Sequence, residues 1–71
     1  MDRDMVDSSM IASIGYDHSS GTIEVEFRSN YQVWHYYDVP EYTYHELRGA
    51  SSLGKAFNAM IKGHFREARV G

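Results

Sequence analysis

Apolar and polar residues alternate along much of the first half of the chain. The alternation has a period of two over residues 9–17 and, more regularly, over residues 22–28. This period is typical of a β-strand that buries one face. Residues 32–39 are rich in aromatic and β-branched side chains and predict a third strand. The positions predicted to face the core are Met10, Ala12, Ile14 and Tyr16 in the first strand and Ile23, Val25 and Phe27 in the second.

Short turns separate these three strands. Residues 18–21 are turn-forming and end in Gly21, which can adopt a positive φ. Ser29 and Asn30 form the second turn. Consecutive strands with such short connections predict an antiparallel meander.

Pro40 marks a change from strand to helix. Proline is favoured at the first position of a helix, because the N–H that it lacks would have no partner there. Tyr44 and Leu47 follow at helical spacing, and Gly49 is placed to end this helix.

A second helix is predicted to begin near Ser51 or Ser52, since either hydroxyl can cap the free amides of a first turn. Apolar residues then recur at intervals of three and four, which predicts one face packed on a core. A second face carries Lys55, Lys62 and Arg66, and Arg69 extends this cationic stripe if the helix continues that far. The apolar face consists of Leu53, Ala56, Phe57, Met60, Ile61 and either His64 or Phe65.

These elements predict an α+β fold in the order β-β-β-α-α. Two amphipathic helices would cover one face of a three-stranded antiparallel meander and form a two-layer sandwich. Residues 1–8 contain three acids and no apolar period, and we expect them to be a flexible N-terminal tail. A single domain is expected over residues 9–71.

One stretch, residues 49–56 or GASSLGKA, fits the first seven positions of the phosphate-binding loop G-x-x-x-x-G-K-[ST]. A true P-loop follows a strand, whereas a helix is predicted before Gly49, and Ala56 stands where a hydroxyl should bind Mg²⁺. We therefore interpret the stretch as a joint between two helices. The N-terminus of the second helix, with Ser52 and Lys55, can still attract an anion, and plain helix capping is the alternative interpretation.

Composition narrows the possible functions. The 71 residues suffice for one small domain, and the absence of cysteine excludes a disulfide framework and a thiolate nucleophile. No apolar run approaches the roughly 20 residues that span a bilayer, and residues 1–9 do not resemble a signal peptide. We expect a soluble cytoplasmic protein with no membrane partner.

Charge is distributed unevenly along the chain. Residues 1–45 carry a net charge of −6 and residues 46–71 a net charge of +3, which together give −3. The basic second half can mark a face for an anionic partner, or it can be a by-product of solubility.

One series of residues runs from the third predicted strand through the second helix: Trp34, Tyr36, Asp38, Val39, Pro40, Tyr44, Ala50, Ser52, Gly54, Phe57, Asn58, Ile61 and Lys62. This series is similar to the pattern of a known family, the KTSC domain. This family is named for its occurrence at the C-terminus of some lysyl-tRNA synthetases and also includes free-standing bacterial and phage proteins. The resemblance covers nearly the whole chain after residue 8. It implies no settled function, although the synthetase association suggests RNA binding. Within this series, Trp34 stands where the family has a tyrosine, and Lys62 stands where arginine is usual.

The aromatic residues of the third strand are the first candidate site. Trp34 or Tyr37, with His35 beside them, could stack on nucleic-acid bases. Alternatively, Trp34 and Tyr36 fill the core, which would leave only His35 and Tyr37 on the outer face. The cationic stripe is the second candidate site, and its alternative is a solvated helix face.

No other constellation carries chemistry. The four histidines do not form a ligand set, so we expect no metal site. We find no nucleophile beside a base, and we expect neither a catalytic site nor a cofactor.

Two hypotheses follow for function. The first is a non-enzymatic module that binds RNA or another anionic nucleotide ligand. The second is a protein-interaction module, either self-associating or a small phage-type inhibitor of a host protein, which would use the outer sheet face or an open strand edge. The residues assigned to the first hypothesis are Trp34, His35, Tyr37, Ser52, Lys55, Lys62, Arg66 and Arg69.

Overall fold

A computed structural model describes all residues from 1 to 71. All strands belong to one antiparallel sheet in the order β1-β2-β3-β4-β5, so each strand pairs with its neighbour in sequence. The α+β class and the two helices are confirmed, whereas the predicted three strands are five. The elements are β1 (Asp4–Met5), β2 (Ile11–Asp17), β3 (Thr22–Phe27), β4 (Val33–Tyr36), α1 (Glu41–Gly49), α2 (Leu53–Met60) and β5 (Glu67–Arg69).

The β2–β3 hairpin is the central part of the sheet. Its register places Ile14 opposite Val25 and is interrupted by a bulge between Ile11 and Ser13. The bulge inserts Ala12 as an extra residue, so Ile11 and Ile14 both join the core although they are three positions apart. Ala12 is buried as predicted, whereas the predicted core set omitted Ile11, because strict alternation cannot anticipate a bulge.

The N-terminal segment contains an edge strand. Asp4 lies opposite Ile14, and Met5 lies opposite Ser13. The guanidinium of Arg28 donates hydrogen bonds to the carbonyl oxygens of Val6 and Ser8. The segment expected to be a flexible tail, residues 1–8, is therefore attached to the sheet.

The second helix is shorter than predicted, and a fifth strand follows it. Helix α2 ends at Met60, and the chain turns through Gly63 at a φ of +82°, which favours glycine. Strand β5 then pairs with β4, with Arg69 opposite Trp34. The prediction that the helix could continue to Arg69 is wrong, because the glycine turn reverses the chain before that point.

Both helices begin at the positions that the sequence indicated, within one residue. Pro40 is the N-cap of α1 and precedes its first helical residue, Glu41. Ser52 is the N-cap of α2, and its hydroxyl accepts a hydrogen bond from the N–H of Lys55 at 3.4 Å. The prediction of a serine cap is confirmed, and of the two candidates it is Ser52.

The core lies between one face of the sheet and the two helices. Phe57 of α2 contacts Tyr36 of β4 edge to face, with ring centroids 5.2 Å apart. Neither helix is long and apolar enough to cross a bilayer. The ten residues of the central cluster are Ile11, Ile14, Ile23, Val25, Tyr36, Val39, Tyr44, Leu47, Phe57 and Ile61.

Candidate functional site

Two clefts lie side by side along α2 and meet at Met10 and Asn58, which line both. We call the first the tryptophan cleft; its volume is about 380 Å³, and Trp34, Lys62 and Glu67 are among its lining residues. We call the second the serine cleft; its volume is about 360 Å³. Because the two clefts share Met10 and Asn58, we refer to them together as the α2 groove.

The position of Trp34 in the groove follows from the alternation of β4. Tyr36 is buried at 2% exposure, and Trp34, two residues earlier, lies on the same face of the sheet. Trp34 is half-buried against the core, and its indole N–H donates to the side-chain oxygen of Gln32 at 3.2 Å. The interpretation that places Trp34 and Tyr36 on the core face is therefore confirmed. The exposed part of the indole borders the tryptophan cleft.

The polar walls of the tryptophan cleft come from three separate elements. Asn58 is exposed on α2, next to the buried Phe57. Lys62 lies in the turn after α2, where its N–H bonds to the carbonyl of Phe57 at 3.1 Å. Glu67 comes from β5, opposite Tyr36. Burial, and to a lesser degree the Glu67 carboxylate, raises the pKa of Tyr36 to about 12, so its phenol is neutral at physiological pH.

The serine cleft is formed where α2 begins against residues 8–10. A Cβ at Gly54 would lie 3.3 Å from the Cβ of Met10, so glycine allows this close approach. The hydroxyl of Ser8 accepts hydrogen bonds from the N–H groups of Met10 and Ile11 at 3.2 Å each and holds this segment in place. Lys55 and Ser52, both exposed, line the cleft at the first turn of the helix.

The four predicted cations do not form a single stripe. Lys55 and Lys62 line different clefts of the groove. Arg66 lies over the ring of Tyr37 at 5.0 Å from its centroid, and Arg69 is on β5, where its Nε donates to the carbonyl of Gly71 at 2.9 Å. The predicted stripe is wrong because it assumed a helix that continues past residue 60.

The outer sheet face places His35 and Tyr37 away from the groove. The Nε2 of His35 is 2.8 Å from one oxygen of Glu24, and Arg3 donates to the other at 2.9 Å. Burial by itself raises the pKa of Glu24, but His35 and Arg3 together lower it below its ordinary value. His35 therefore pairs with Glu24, and Tyr37 lies under the guanidinium of Arg66, so both side chains have charged partners on this face.

A second histidine–carboxylate cluster lies at the start of α1. The carboxylate of Glu41 is 2.9 Å from Nδ1 of His18 and 3.4 Å from Nε2 of His45. These two contacts lower the pKa of Glu41. The cluster is exposed, and no group of three or more ligand-type side chains in the structure is arranged to hold a metal ion.

Sequence reasoning did not identify Gln32, Glu67 or Met10 as members of a site. Gln32 and Glu67 are ordinary polar residues that lie 35 positions apart in the chain. Asn58 carried a signal, since it belongs to the family pattern, but it was not assigned to the site.

The fold and groove together define a small α+β domain whose five-stranded meander is covered on one face by two helices. The family model of the KTSC domain matches residues 7–65. The chain belongs to the KTSC domain family. A crystal structure of a KTSC domain protein from Yersinia pestis matches with a TM-score of 0.93 and 37% identity, covering 99% of this chain and 97% of that one.

Two further relatives match over most of their length. An uncharacterized protein of Stutzerimonas stutzeri (strain A1501) is 38% identical over 71 residues, which is 99% of both chains. A protein of Tsukamurella paurometabola is 33% identical over 61 residues, 86% of this chain and 90% of the relative.

Most of the residues that carry the family resemblance fall into two groups in the structure. One group is buried in the core, as Tyr36, Phe57 and Ile61 are. A second group is exposed or half-buried and borders the α2 groove. Core packing explains the first group, whereas in the second Ser52 caps α2 and Gly54 allows the close approach of Met10. The members of the second group are Trp34, Ser52, Gly54, Asn58 and Lys62.

Proposed function

We propose that the protein is a non-enzymatic module that binds a nucleotide in the α2 groove. The observation that carries this proposal is the convergence of an indole, a lysine and amide side chains from three elements in one cleft. The base lies against the exposed part of Trp34, and the phosphate lies beside Lys62.

The size and chemistry of the tryptophan cleft support a ligand of this class. Its volume of about 380 Å³ falls in the range of small-ligand sites. Stacking on an aromatic side chain contributes about 1–3 kcal/mol per base. Asn58 offers an amide for base edges, and Gln32 offers its amide N–H groups, since its oxygen already accepts from Trp34. Lys62 offers a cation for phosphate.

The distribution of charge favours a single nucleotide over a long RNA. Arg66 and Arg69 lie outside the residues that line the groove, and the groove contains Asp7 and Glu67 as well as its two lysines. With a net charge of −3, the chain lacks the extended cationic surface on which RNA-backbone affinity depends. The serine cleft can take a second phosphate at the helix N-terminus.

The proposal includes no chemical reaction. The hydroxyl of Ser52 accepts the N–H of Lys55 as a helix cap, and no histidine lines either cleft to serve as its base. A cytoplasmic location is part of the proposal, because nucleotides are abundant there.

The test is a titration of nucleoside mono-, di- and triphosphates and of a single-stranded RNA at low and moderate salt. Trp34, the only tryptophan, reports binding by fluorescence. We expect Lys62→Ala to weaken nucleotide binding, while Arg66→Ala leaves it unchanged. The control removes the same charge from a side chain outside the groove.

Two outcomes would overturn the proposal. One is no nucleotide binding at low salt. The other is equal weakening by Lys62→Ala and Arg66→Ala, which would indicate a non-specific electrostatic effect. Binding of RNA alone, weakened by loss of Arg66 or Arg69, would replace the nucleotide site with an extended nucleic-acid surface.

A further inference from the structure

Strand β5 forms one edge of the sheet, and alternate residues of its backbone face outward. The carbonyl of Arg66 accepts from the N–H of Tyr37 at 2.9 Å, and the N–H of Val70 donates to Val33 at 2.8 Å. Residues 66, 68 and 70 therefore direct their backbone groups toward β4. By the same alternation, Glu67 and Arg69 direct their N–H and C=O groups away from the sheet.

The two outward-facing residues carry opposite charges. In an antiparallel pair of identical strands related by a two-fold axis at Ala68, Glu67 lies directly opposite Arg69 of the second copy, and Arg69 lies opposite Glu67. These are also the hydrogen-bonded positions of the new ladder, because both residues point their backbone groups outward. One register therefore satisfies the edge backbone and forms two ion pairs at once.

We propose that β5 pairs with β5 of a second copy of this chain and forms a symmetric dimer with one continuous ten-stranded sheet. The partner is chosen by charge complementarity. A strand edge whose outward-facing residues all carry the same charge repels a second copy of itself. Glu67 and Arg69 carry opposite charges two residues apart, and in the antiparallel register these charges attract the second copy.

Side chains on the outer face are compatible with this pairing. Ala68 lies at the two-fold axis, where the two strands approach most closely and two alanine methyl groups meet without a clash. The Arg66 guanidinium lies over Tyr37, on the neighbouring strand, and so is directed away from the edge. Val70, which is 49% exposed, lies opposite the stem of Arg66 from the second copy and can pack on it.

The opposite edge of the sheet does not share this self-complementarity. Strand β1 has only two residues, Asp4 and Met5, so it offers no pair of opposite charges. Asp4 already accepts from Arg48 at 3.1 Å. A two-fold dimer through β5 therefore closes without forming a chain of subunits.

The test is the oligomeric state across a protein concentration series, measured by sedimentation and by light scattering after size exclusion. We expect a monomer–dimer equilibrium in the native chain. Arg69→Glu and Glu67→Arg each create two like-charge pairs per dimer and should weaken association roughly tenfold or more. An equimolar mixture of the two variants should form a heterodimer, because each regenerates the opposite-charge pairs with the other.

Two further variants separate edge pairing from unfolding. Arg69→Pro removes an N–H that points outward and keeps the bonds between β4 and β5, so it should abolish the dimer while the monomer remains folded by circular dichroism. Lys55→Glu makes a comparable charge reversal at an exposed residue outside the cleft that contains Glu67, and it should leave the dimer intact.

Three results would overturn the dimer. They are a monomer at every concentration, a failure of the two charge variants to associate when mixed, and species that grow beyond a dimer. The inference is independent of the nucleotide proposal, because Lys62→Ala tests that site and leaves β5 unchanged.

Discussion

Gly15 of β2 lies against the backbone of Asp2 and Arg3, so a substitution there tests how β1 is held in the sheet. A Cβ built on Gly15 would overlap the carbonyl oxygen of Asp2 and would lie 3.2 Å from the Cα of Arg3. Both atoms belong to the backbone and cannot rotate away. Gly15→Ala should therefore displace β1 from β2 while the core stays folded.

The magnitude follows from the contacts that β1 would lose. The ion pair between Arg3 and Glu24 is partly exposed, as is the pair between Asp4 and Arg48. Each contributes about 0–1 kcal/mol, and each backbone hydrogen bond of the short ladder adds about 0.5–1.5 kcal/mol. The change to alanine restores about 0.4–1 kcal/mol by restricting the unfolded chain. We expect a net destabilisation of about 1–2 kcal/mol.

Urea unfolding followed by Trp34 fluorescence measures this loss. Thermal unfolding is a second measure, because a decrease of 1 kcal/mol in the free energy of unfolding should lower the melting temperature by about 4–8 °C in a domain of this size. Gly49→Ala is the matched control, because a Cβ there meets nothing within 4 Å and the residue is in a helix. We expect that control to be neutral or to stabilise the protein by up to about 1 kcal/mol.

A double-mutant cycle distinguishes strand displacement from a general packing effect. Arg3→Ala should reduce stability in the native chain and have no further effect in the Gly15→Ala background, since Arg3 is already detached there. Unchanged stability of Gly15→Ala would refute the reasoning. An equal cost of Arg3→Ala in both backgrounds would refute it as well.

Three further substitutions test the core and two of the ionisable groups whose pKa is shifted. Phe57→Ala removes a fully buried ring, which costs about 3–5 kcal/mol and should leave so small a domain largely unfolded by circular dichroism at 25 °C; a cooperative transition near the native midpoint would contradict this. The lowered pKa of Glu24 contributes stability that is present above its ordinary pKa of 4.5 and is lost as pH falls below that value. Glu24→Gln should therefore flatten the acid limb of a curve of stability against pH. An unchanged acid limb would show that the ionised Glu24 does not contribute to stability. Tyr36 has a pKa of about 12 in the folded state against an ordinary value of 10.0, so the free energy of unfolding should fall as pH rises from 10 to 12, by about 1 kcal/mol at pH 11. Tyr36→Phe should remove this part of the alkaline loss of stability. An unaltered alkaline limb in that variant would count against the reasoning.

Local patterns predicted the elements whose side chains are themselves periodic. The alternation of residues 22–28 identified β3 because one face of that strand is buried and the other is wet. The apolar stripe with Phe57 and the serine before it located α2, since both signals lie within the helix. Capping and amphipathicity act over a few residues, so a short window of sequence contains them.

The two edge strands could not be predicted in this way. Strand β1 has two residues and β5 has three, and neither shows an apolar alternation. Each forms because a neighbouring strand offers unpaired backbone groups, which is a property of the folded sheet. The same reason explains why Arg69 was assigned to a helix: its role depends on the glycine turn and on the free edge of β4.

The candidate site was predicted in part. Trp34 and Lys62 were both named from the sequence, and the structure brings them to one cleft. Ser52 and Lys55 lie in the adjoining cleft, whereas His35 and Tyr37 lie on the opposite face of the sheet. Glu67 joins the cleft only because β5 returns to the sheet beside β4.

The sequence by itself determined the α+β class, the three central strands, both helix starts and the family, because these depend on periodicity and on local hydrogen bonding. The tertiary structure alone decided the strand count, the separation of the cations and the pairing of the α2 groove with Trp34. The physical reason is that edge pairing, the bulge at Ala12 and the convergence of distant side chains arise from backbone groups and surfaces that meet only after the chain has packed.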